Sequence, residues 1–186
     1  MSGRKRFATA SPDDLFKVDE DAVKLVQAAA KSFHNITAKA IYVTKRARPD
    51  ISLAIAFLTT RVKGPDIDDW RKLRHLIEYL RATRELPLIL GADGTGVLSW
   101  YVDASFAVHP DMRGHTGGGM TMGRGFPLDK STKHKLNTRS SMESEIVAVD
   151  DLIPQILWVR LFMKAQGFKV RDNILYQDNR SAIYWR

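Results

Sequence analysis

The spacing of apolar residues changes near residue 94. Before that point, apolar residues recur every three to four positions, which is the spacing of helices with one buried face. Pro49 disfavours helix at Arg48, Asp50 is suited to cap the next helix, and Gly64-Pro65 ends it. The predicted helices cover residues 22–46, 51–62 and about 66–83.

After residue 94 the pattern becomes that of strands separated by turn residues, and one long apolar helix follows. We expect Pro154 to kink that helix. The order of the elements predicts an α/β fold of the α+β type with a mixed sheet. The predicted strands are 97–108, 118–123, a polar third at 130–137, and 173–177; the predicted helices are 141–167 and one starting near 179.

Composition limits the chemistry. The chain has no cysteine, so disulfides and thiolate zinc sites are excluded, and its five histidines show no metal-ligand spacing. Any metal must therefore be held by oxygen. We expect His109, His115 and His134 to face solvent, with assistance to a proton transfer as the alternative.

The formal net charge of +8 points to a polyanionic partner, although a basic protein with no such partner has the same composition. In the third predicted helix, Arg71, Lys72 and Arg74 form a basic face that could follow a nucleic-acid backbone or simply meet solvent. No run of about 18 apolar residues is present, so we expect no membrane span.

Three acidic residues stand at informative places. Asp103 and Asp178 each end an apolar run predicted to be a strand, and Glu145 opens the long helix. Such an arrangement gathers carboxylates, the ligands that divalent metals prefer, and so favours phosphodiester chemistry. Taken singly, Asp103 could be a solvated strand end, and Asp178 could cap the helix starting near Asn179.

The sequence also distinguishes Glu145 from Glu143. Two positions on a helix lie about 200° apart, so both cannot face the sheet. Glu145 falls within an apolar arc, whereas Glu143 lies outside it and completes a capping box with Ser140. We therefore predict that Glu145 is the metal ligand. The arc consists of Met142, Ile146, Val149, Leu152, Ile153 and Ile156.

Several short motifs, in order, resemble the ribonuclease H domain of copia-type LTR retrotransposon polyproteins, over about residues 15–183. Residues 48–51 and 76–83 resemble the segment that joins the reverse transcriptase to that domain. The other motifs are Tyr-Val-Asp-Ala-Ser at 101–105, His-Thr-Gly-Gly at 115–118, Lys-His-Lys-Leu-Asn-Thr at 133–138, Ser-Ser-Met-Glu-Ser-Glu at 140–145 and Tyr-Gln-Asp-Asn at 176–179.

The resemblance implies a mixed five-stranded sheet with helices, and an enzyme that cuts the RNA strand of an RNA–DNA hybrid. Asp103, Glu145 and Asp178 match the family's catalytic and metal-binding acids. Ser141 and Asn179 match positions beside them that would help to bind nucleic acid. The implied cofactor is two Mg²⁺ ions, with Mn²⁺ as an alternative. The implied partners are the hybrid or another nucleic acid, and the rest of the reverse transcriptase.

The family continues through a further strand to a fourth acidic residue, whereas this sequence stops at Arg186. We therefore expect an incomplete ribonuclease H-like domain over residues 95–186, lacking the last strand and impaired in activity. A helical connection segment over 19–94 and a poorly ordered N-terminus over 1–18 would precede it. A non-catalytic module that binds nucleic acid or protein is the alternative. An integrase of the related DDE type is disfavoured by the order of the acids.

Overall fold

A computed structural model describes residues 9–183. The chain forms two compact units, Met1–Pro87 and Leu88–Arg186, and each is described by itself. The N-terminal unit contains helices α1 (Gln27–Arg46), α2 (Ser52–Arg61) and α3 (Ile67–Ala82), with a 3-10 turn over Pro49–Ile51 before α2. Its core is built from apolar side chains of all these elements, including Phe33, Ile51, Phe57, Leu58 and Leu76.

The start of this unit differs from the prediction. Helix α1 begins at Gln27 rather than residue 22, because the preceding residues pair with the segment before α3. The Leu25 N–H donates to the Pro65 carbonyl at 2.9 Å, and the Ile67 N–H donates to the Val23 carbonyl at 3.0 Å. Within the N-terminus predicted to be poorly ordered, Ala10 and Leu15 are buried in the core. Residues 1–8 of that predicted segment lie outside the described residues.

The helical spacing of Ile67, Trp70, Leu73, Ile77 and Leu80 predicts that these residues form the buried face of α3. The buried face is rotated from this prediction, since Ile67 and Ile77 are exposed. Lys72 lies on the buried face instead: its ammonium pairs with Asp68 at 2.8 Å and sits 5.0 Å from the centre of the Phe57 ring. Lys72 is thus not available to a phosphate backbone, contrary to its predicted role. The buried face consists of Asp69, Lys72, Leu73, Leu76 and Tyr79.

The start of α3 is held by a buried charge network. Asp66 caps the helix by accepting the N–H groups of Asp68 and Asp69. The Arg61 guanidinium donates to Asp66 and to Asp69, each at 3.0 Å, and both carboxylate side chains are only 2% exposed. Lys24 adds a second cation, 3.3 Å from Asp66. Arg61 is therefore the cation that the two buried carboxylates share.

The C-terminal unit contains two sheets. A small one pairs β1 (Gly91–Ala92) with β4 (Gly123–Arg124). The main sheet consists of β2 (Val97–Ser105), β3 (His115–Thr121), β5 (Leu128–Lys133) and β6 (Asp172–Tyr176). Its strand order is β5-β3-β2-β6, in which β3 is antiparallel to β2 and β5, and β6 is parallel to β2. The predicted α/β class is confirmed. The helices of this unit are α4 (Ser141–Ala165) and α5 (Arg180–Ile183).

Helix α4 packs along one face of the main sheet. Gly118 of β3 allows the close approach, since a Cβ there would lie 2.9 Å from Leu152 Cδ2. Pro154 lies inside α4, which nevertheless continues to Ala165. Within residues 9–183, every helix is too short or too polar to cross a membrane. The core between α4 and the sheet is formed by Leu98, Trp100, Val102, Met120, Ala148, Leu152 and Val159.

Three histidines are buried in this unit, so the expectation that they face solvent is wrong. His109 Nε2 lies 3.1 Å from His115 Nδ1, and His115 Nε2 lies 2.8 Å from Ser131 Oγ. His134 is also buried, and its backbone N–H donates to the Gly114 carbonyl. His109 itself lies in the loop between β2 and β3. Burial, which penalises the imidazolium form, lowers the pKa of both His109 and His115 to about 4.

We predict that Arg61→Leu will lower the free energy of unfolding of the N-terminal unit by about 3–5 kcal/mol, because it leaves two buried carboxylates without their shared cation. Urea unfolding followed by circular dichroism measures this. Arg84→Leu is the matched control: Arg84 is 82% exposed and pairs with the exposed Glu85. Its loss should cost less than about 0.5 kcal/mol. Equal effects of the two substitutions would contradict the role given to Arg61.

The buried histidines predict that acid destabilises the C-terminal unit. The unfolded chain protonates them near pH 6.5 and the folded chain only near pH 4, so their contribution is complete above pH 6.5 and declines as pH falls towards 4. Within that window each histidine contributes a slope of up to about 1.4 kcal/mol per pH unit. His115→Gln should therefore flatten the dependence of unfolding free energy on pH. An unchanged slope would refute this account.

Candidate metal centre

Three elements of the C-terminal unit bring three carboxylates together. Strands β2 and β6 run parallel with Tyr101 opposite Tyr176, so Asp103 and Asp178, each two residues further on, come to the same end of the sheet. Glu145 reaches this end from the first turns of α4. One carboxylate oxygen from each of the three residues lies within 4.8 Å of the others. The structure thus brings together the three acids selected from the sequence.

The three carboxylates differ in environment. Glu145 is buried, whereas Asp103 and Asp178 are exposed. Burial raises the pKa of Glu145, and the negative charges of Asp103 and Asp178 raise it further. A hydrogen bond of 3.0 Å from Gln177 Nε2 to Glu145 Oε2 acts in the opposite direction. A cation at this point would relieve both the desolvation and the repulsion.

Glu143 serves a local structural purpose instead. Its backbone N–H donates to Ser140 Oγ at 3.2 Å, as the predicted capping box requires. Its carboxylate accepts the N–H of Arg139 at 2.6 Å, rather than that of Ser140. The Glu143 side chain therefore binds the backbone N–H one residue before Ser140, the residue of the predicted capping box. It does not belong to the carboxylate cluster.

A buried hydroxyl pair anchors the first turn of α4. Thr138 Oγ1 and Ser144 Oγ lie 2.5 Å apart, and both side chains are buried. Thr138 belongs to the segment that leads into the helix, and Ser144 directly precedes Glu145. The bond therefore fixes the helix to its own approach segment, which holds Glu145 in place at the sheet end.

The residues predicted to contact nucleic acid lie on different elements. Ser141 is the exposed first residue of α4. Asn179 Oδ1 accepts the N–H of Ala182 at 3.1 Å, so Asn179, and not Asp178, caps α5. Asp178 is thereby free of the alternative capping role. Arg71 and Arg74 are exposed on α3 of the N-terminal unit, and Arg71 is paired there with Asp14 and Asp68.

Sequence reasoning missed Gln177. Besides its bond to Glu145, its Oε1 accepts the backbone N–H of Asn179 at 3.0 Å. Alternation along β6 contained the signal, because Asn173, Leu175 and Gln177 all occupy the less exposed side of the strand. A polar side chain at the last of these positions requires a buried partner.

The donor set suits a hard divalent cation. Carboxylate oxygens are the preferred protein ligands of Mg²⁺, and Mn²⁺ accepts the same ligands. Among residues 9–183, this is the one cluster of three or more His, Asp or Glu side chains with ligand atoms close enough to share an ion. Its oxygen-only composition agrees with the absence of cysteine from the sequence.

Known proteins with similar sequences include transposon polyproteins. The chain is 27% identical over 144 residues to the retrovirus-related Pol polyprotein from transposon TNT 1-94 of Nicotiana tabacum, and 29% identical over 139 residues to that from transposon RE2 of Arabidopsis thaliana. These alignments cover 77% and 74% of this chain, but only 11% and 10% of the polyproteins. The chain thus spans about a tenth of their length.

A shorter protein is also similar. The secreted RxLR effector protein 161 of Plasmopara viticola is 27% identical over 120 residues, which is 64% of this chain and 84% of the effector. No protein-family model matches the chain, and no solved structure matches it. The similarities support a relationship between this chain and a segment of retrotransposon Pol polyproteins.

Proposed function

We propose that the C-terminal unit is a retrotransposon-derived ribonuclease H-type nuclease that hydrolyses the RNA strand of RNA–DNA hybrids with two divalent metal ions. The observation that carries the proposal is the convergence of Asp103, Glu145 and Asp178, with ligand oxygens within 4.8 Å of one another. The same three residues match the acids of copia-type ribonuclease H domains. Similarity to transposon Pol polyproteins supports that assignment.

The three acids have different roles in this proposal. Asp103 and Asp178 are exposed, so their oxygens can meet a substrate phosphate and its metal from the solvent side. Glu145 closes the buried side of the centre. Bound Mg²⁺ or Mn²⁺ would supply an activated water and stabilise the leaving oxygen of an in-line displacement. The chain itself orients the ligands and limits access to one face.

The surroundings of Glu145, on the buried side of the metal centre, control the protonation of its carboxylate. Glu145 binds a cation only as the carboxylate, and its burial raises the pKa at which that form appears. The Gln177 amide stabilises the carboxylate and holds Oε2 in a fixed direction. Gln177 is therefore a positioning residue, which acts through Glu145.

The net charge of the chain supports a nucleic-acid substrate, as the carboxylate cluster does. A net charge of +8 favours a polyanion. Ser141 is exposed at the start of α4, and Asn179 follows Asp178 directly, so both can approach nucleic acid beside the carboxylates. The reverse transcriptase portion of a Pol polyprotein is the proposed protein partner.

The neighbouring glutamates provide a matched test. We expect the chain to cleave the labelled RNA strand of an RNA–DNA hybrid in Mg²⁺, and Glu145→Gln to lower the rate at least about 100-fold, since a metal ligand contributes several kcal/mol. Glu143→Gln should retain activity, because glutamine still offers an oxygen to the Arg139 N–H. Gel electrophoresis of the labelled strand measures the rates.

Two results would overturn the nuclease proposal: no cleavage by the unsubstituted chain, or equal losses in the two glutamine variants. Salt-sensitive binding of the hybrid without cleavage would instead favour the non-catalytic nucleic-acid module.

We predict that Mn²⁺ affinity will increase with pH through the range in which Glu145 loses its proton, which lies above the ordinary glutamate pKa of 4.5. Gln177→Leu should move the midpoint of this dependence to higher pH, because it removes a hydrogen bond that lowers the pKa. Electron paramagnetic resonance of free Mn²⁺ measures the affinity. A midpoint that stays in place would show that Gln177 does not stabilise the carboxylate.

A further inference from the structure

Helix α4 carries a contiguous apolar surface on the side that faces away from the sheet. We call this surface the α4 outer face. Trp158 and Leu161 are 59% and 67% exposed, and the rings of Trp158 and Phe162 stack with centroids 5.1 Å apart. Single exposed apolar residues are ordinary, but a continuous patch of this kind marks an interaction site. The outer face consists of Ile153, Leu157, Trp158, Leu161 and Phe162.

Two opposite charges flank this surface symmetrically. Asp150 lies seven residues before Leu157, and Lys164 lies seven residues after it. Seven residues make nearly two helical turns, so all three side chains follow one line along the helix. Both charged residues are exposed, and neither forms an ion pair with any other residue of the described range.

We propose that the α4 outer face pairs with the same face of a second copy of this chain, antiparallel, about a two-fold axis at Leu157. In this arrangement Asp150 faces Lys164 of the partner subunit, and the reciprocal pair forms at the other end. Ile153 of each copy then faces Leu161 of the partner subunit. A parallel pairing would place Asp150 against Asp150, so the charges select the antiparallel one.

The charge pattern favours a second copy over an unrelated partner. A two-fold axis requires a surface to be complementary to itself, and one acid and one base equidistant from Leu157 meet that requirement. The aromatic pair beside Leu157 supplies the large buried area that centres stable interfaces. Glu145 lies twelve residues, or about 18 Å, from the axis, so pairing would leave the carboxylate cluster open.

The test is the oligomeric state of the full chain, without nucleic acid, by sedimentation equilibrium. We expect a dimer at micromolar concentration. Leu157→Lys should weaken dimerisation at least about 100-fold, because it places two charges at the centre of an apolar contact. Leu136→Lys is the matched control: Leu136 is 66% exposed but lies outside α4, so dimerisation should be unchanged.

Charge reversal tests the direction of pairing. Asp150→Lys and Lys164→Asp should each weaken the dimer about tenfold, since each places like charges opposite one another at both ends. The double variant should restore dimerisation. Circular dichroism would establish that each variant is folded. A wild-type monomer at 100 µM, as would arise if a different protein covered this face, overturns the proposal, and so does a double variant as weak as the single ones.

Discussion

The parallel pairing of β2 with β6 is the constraint on which the C-terminal unit depends. Parallel neighbours require a crossover, and α4 supplies it by packing across the sheet above Gly118. The crossover returns the chain so that both strands end at the same edge. Asp103 and Asp178, 75 positions apart in sequence, become neighbours because of this topology alone. Glu145 joins them because the crossover helix begins at that edge.

The buried carboxylates of the two units have different neighbours. In the N-terminal unit, Asp66 and Asp69 are buried with Arg61, so the cluster is neutralised by protein groups. In the C-terminal unit, Glu145 is buried next to two further carboxylates, and within residues 9–183 the one side-chain hydrogen bond that stabilises its charged form comes from the neutral Gln177 amide. Three carboxylates that form no ion pair with any described residue are unfavourable for folding and suited to binding a metal.

Periodicity predicted the four strands of the main sheet in their order along the chain, but not β1 and β4. It also placed Glu145, rather than Glu143, on the side of α4 where the structure has the carboxylate cluster. It failed where a polar side chain takes a buried position. Lys72 lies on the buried face of α3, with its ammonium over the Phe57 ring. His109 and His115 are buried in contact with each other, and His115 also contacts Ser131 of β5; a local pattern contains no information about such tertiary contacts. Residues 1–8 and 184–186 lie outside this comparison.

Gln177 joins two parts of the molecule through one planar amide. Its nitrogen donates to Glu145 and its oxygen accepts the N–H of Asn179, whose side chain caps α5. Rotating the amide would lose both bonds and set oxygen against carboxylate, so only one orientation is compatible with a charged Glu145. The ionisation of Glu145 and the order of residues 178–183 are therefore thermodynamically linked. Whatever anchors the start of α5 therefore favours the ionised carboxylate, and protonation of that carboxylate weakens the contact that fixes Gln177 beside α5.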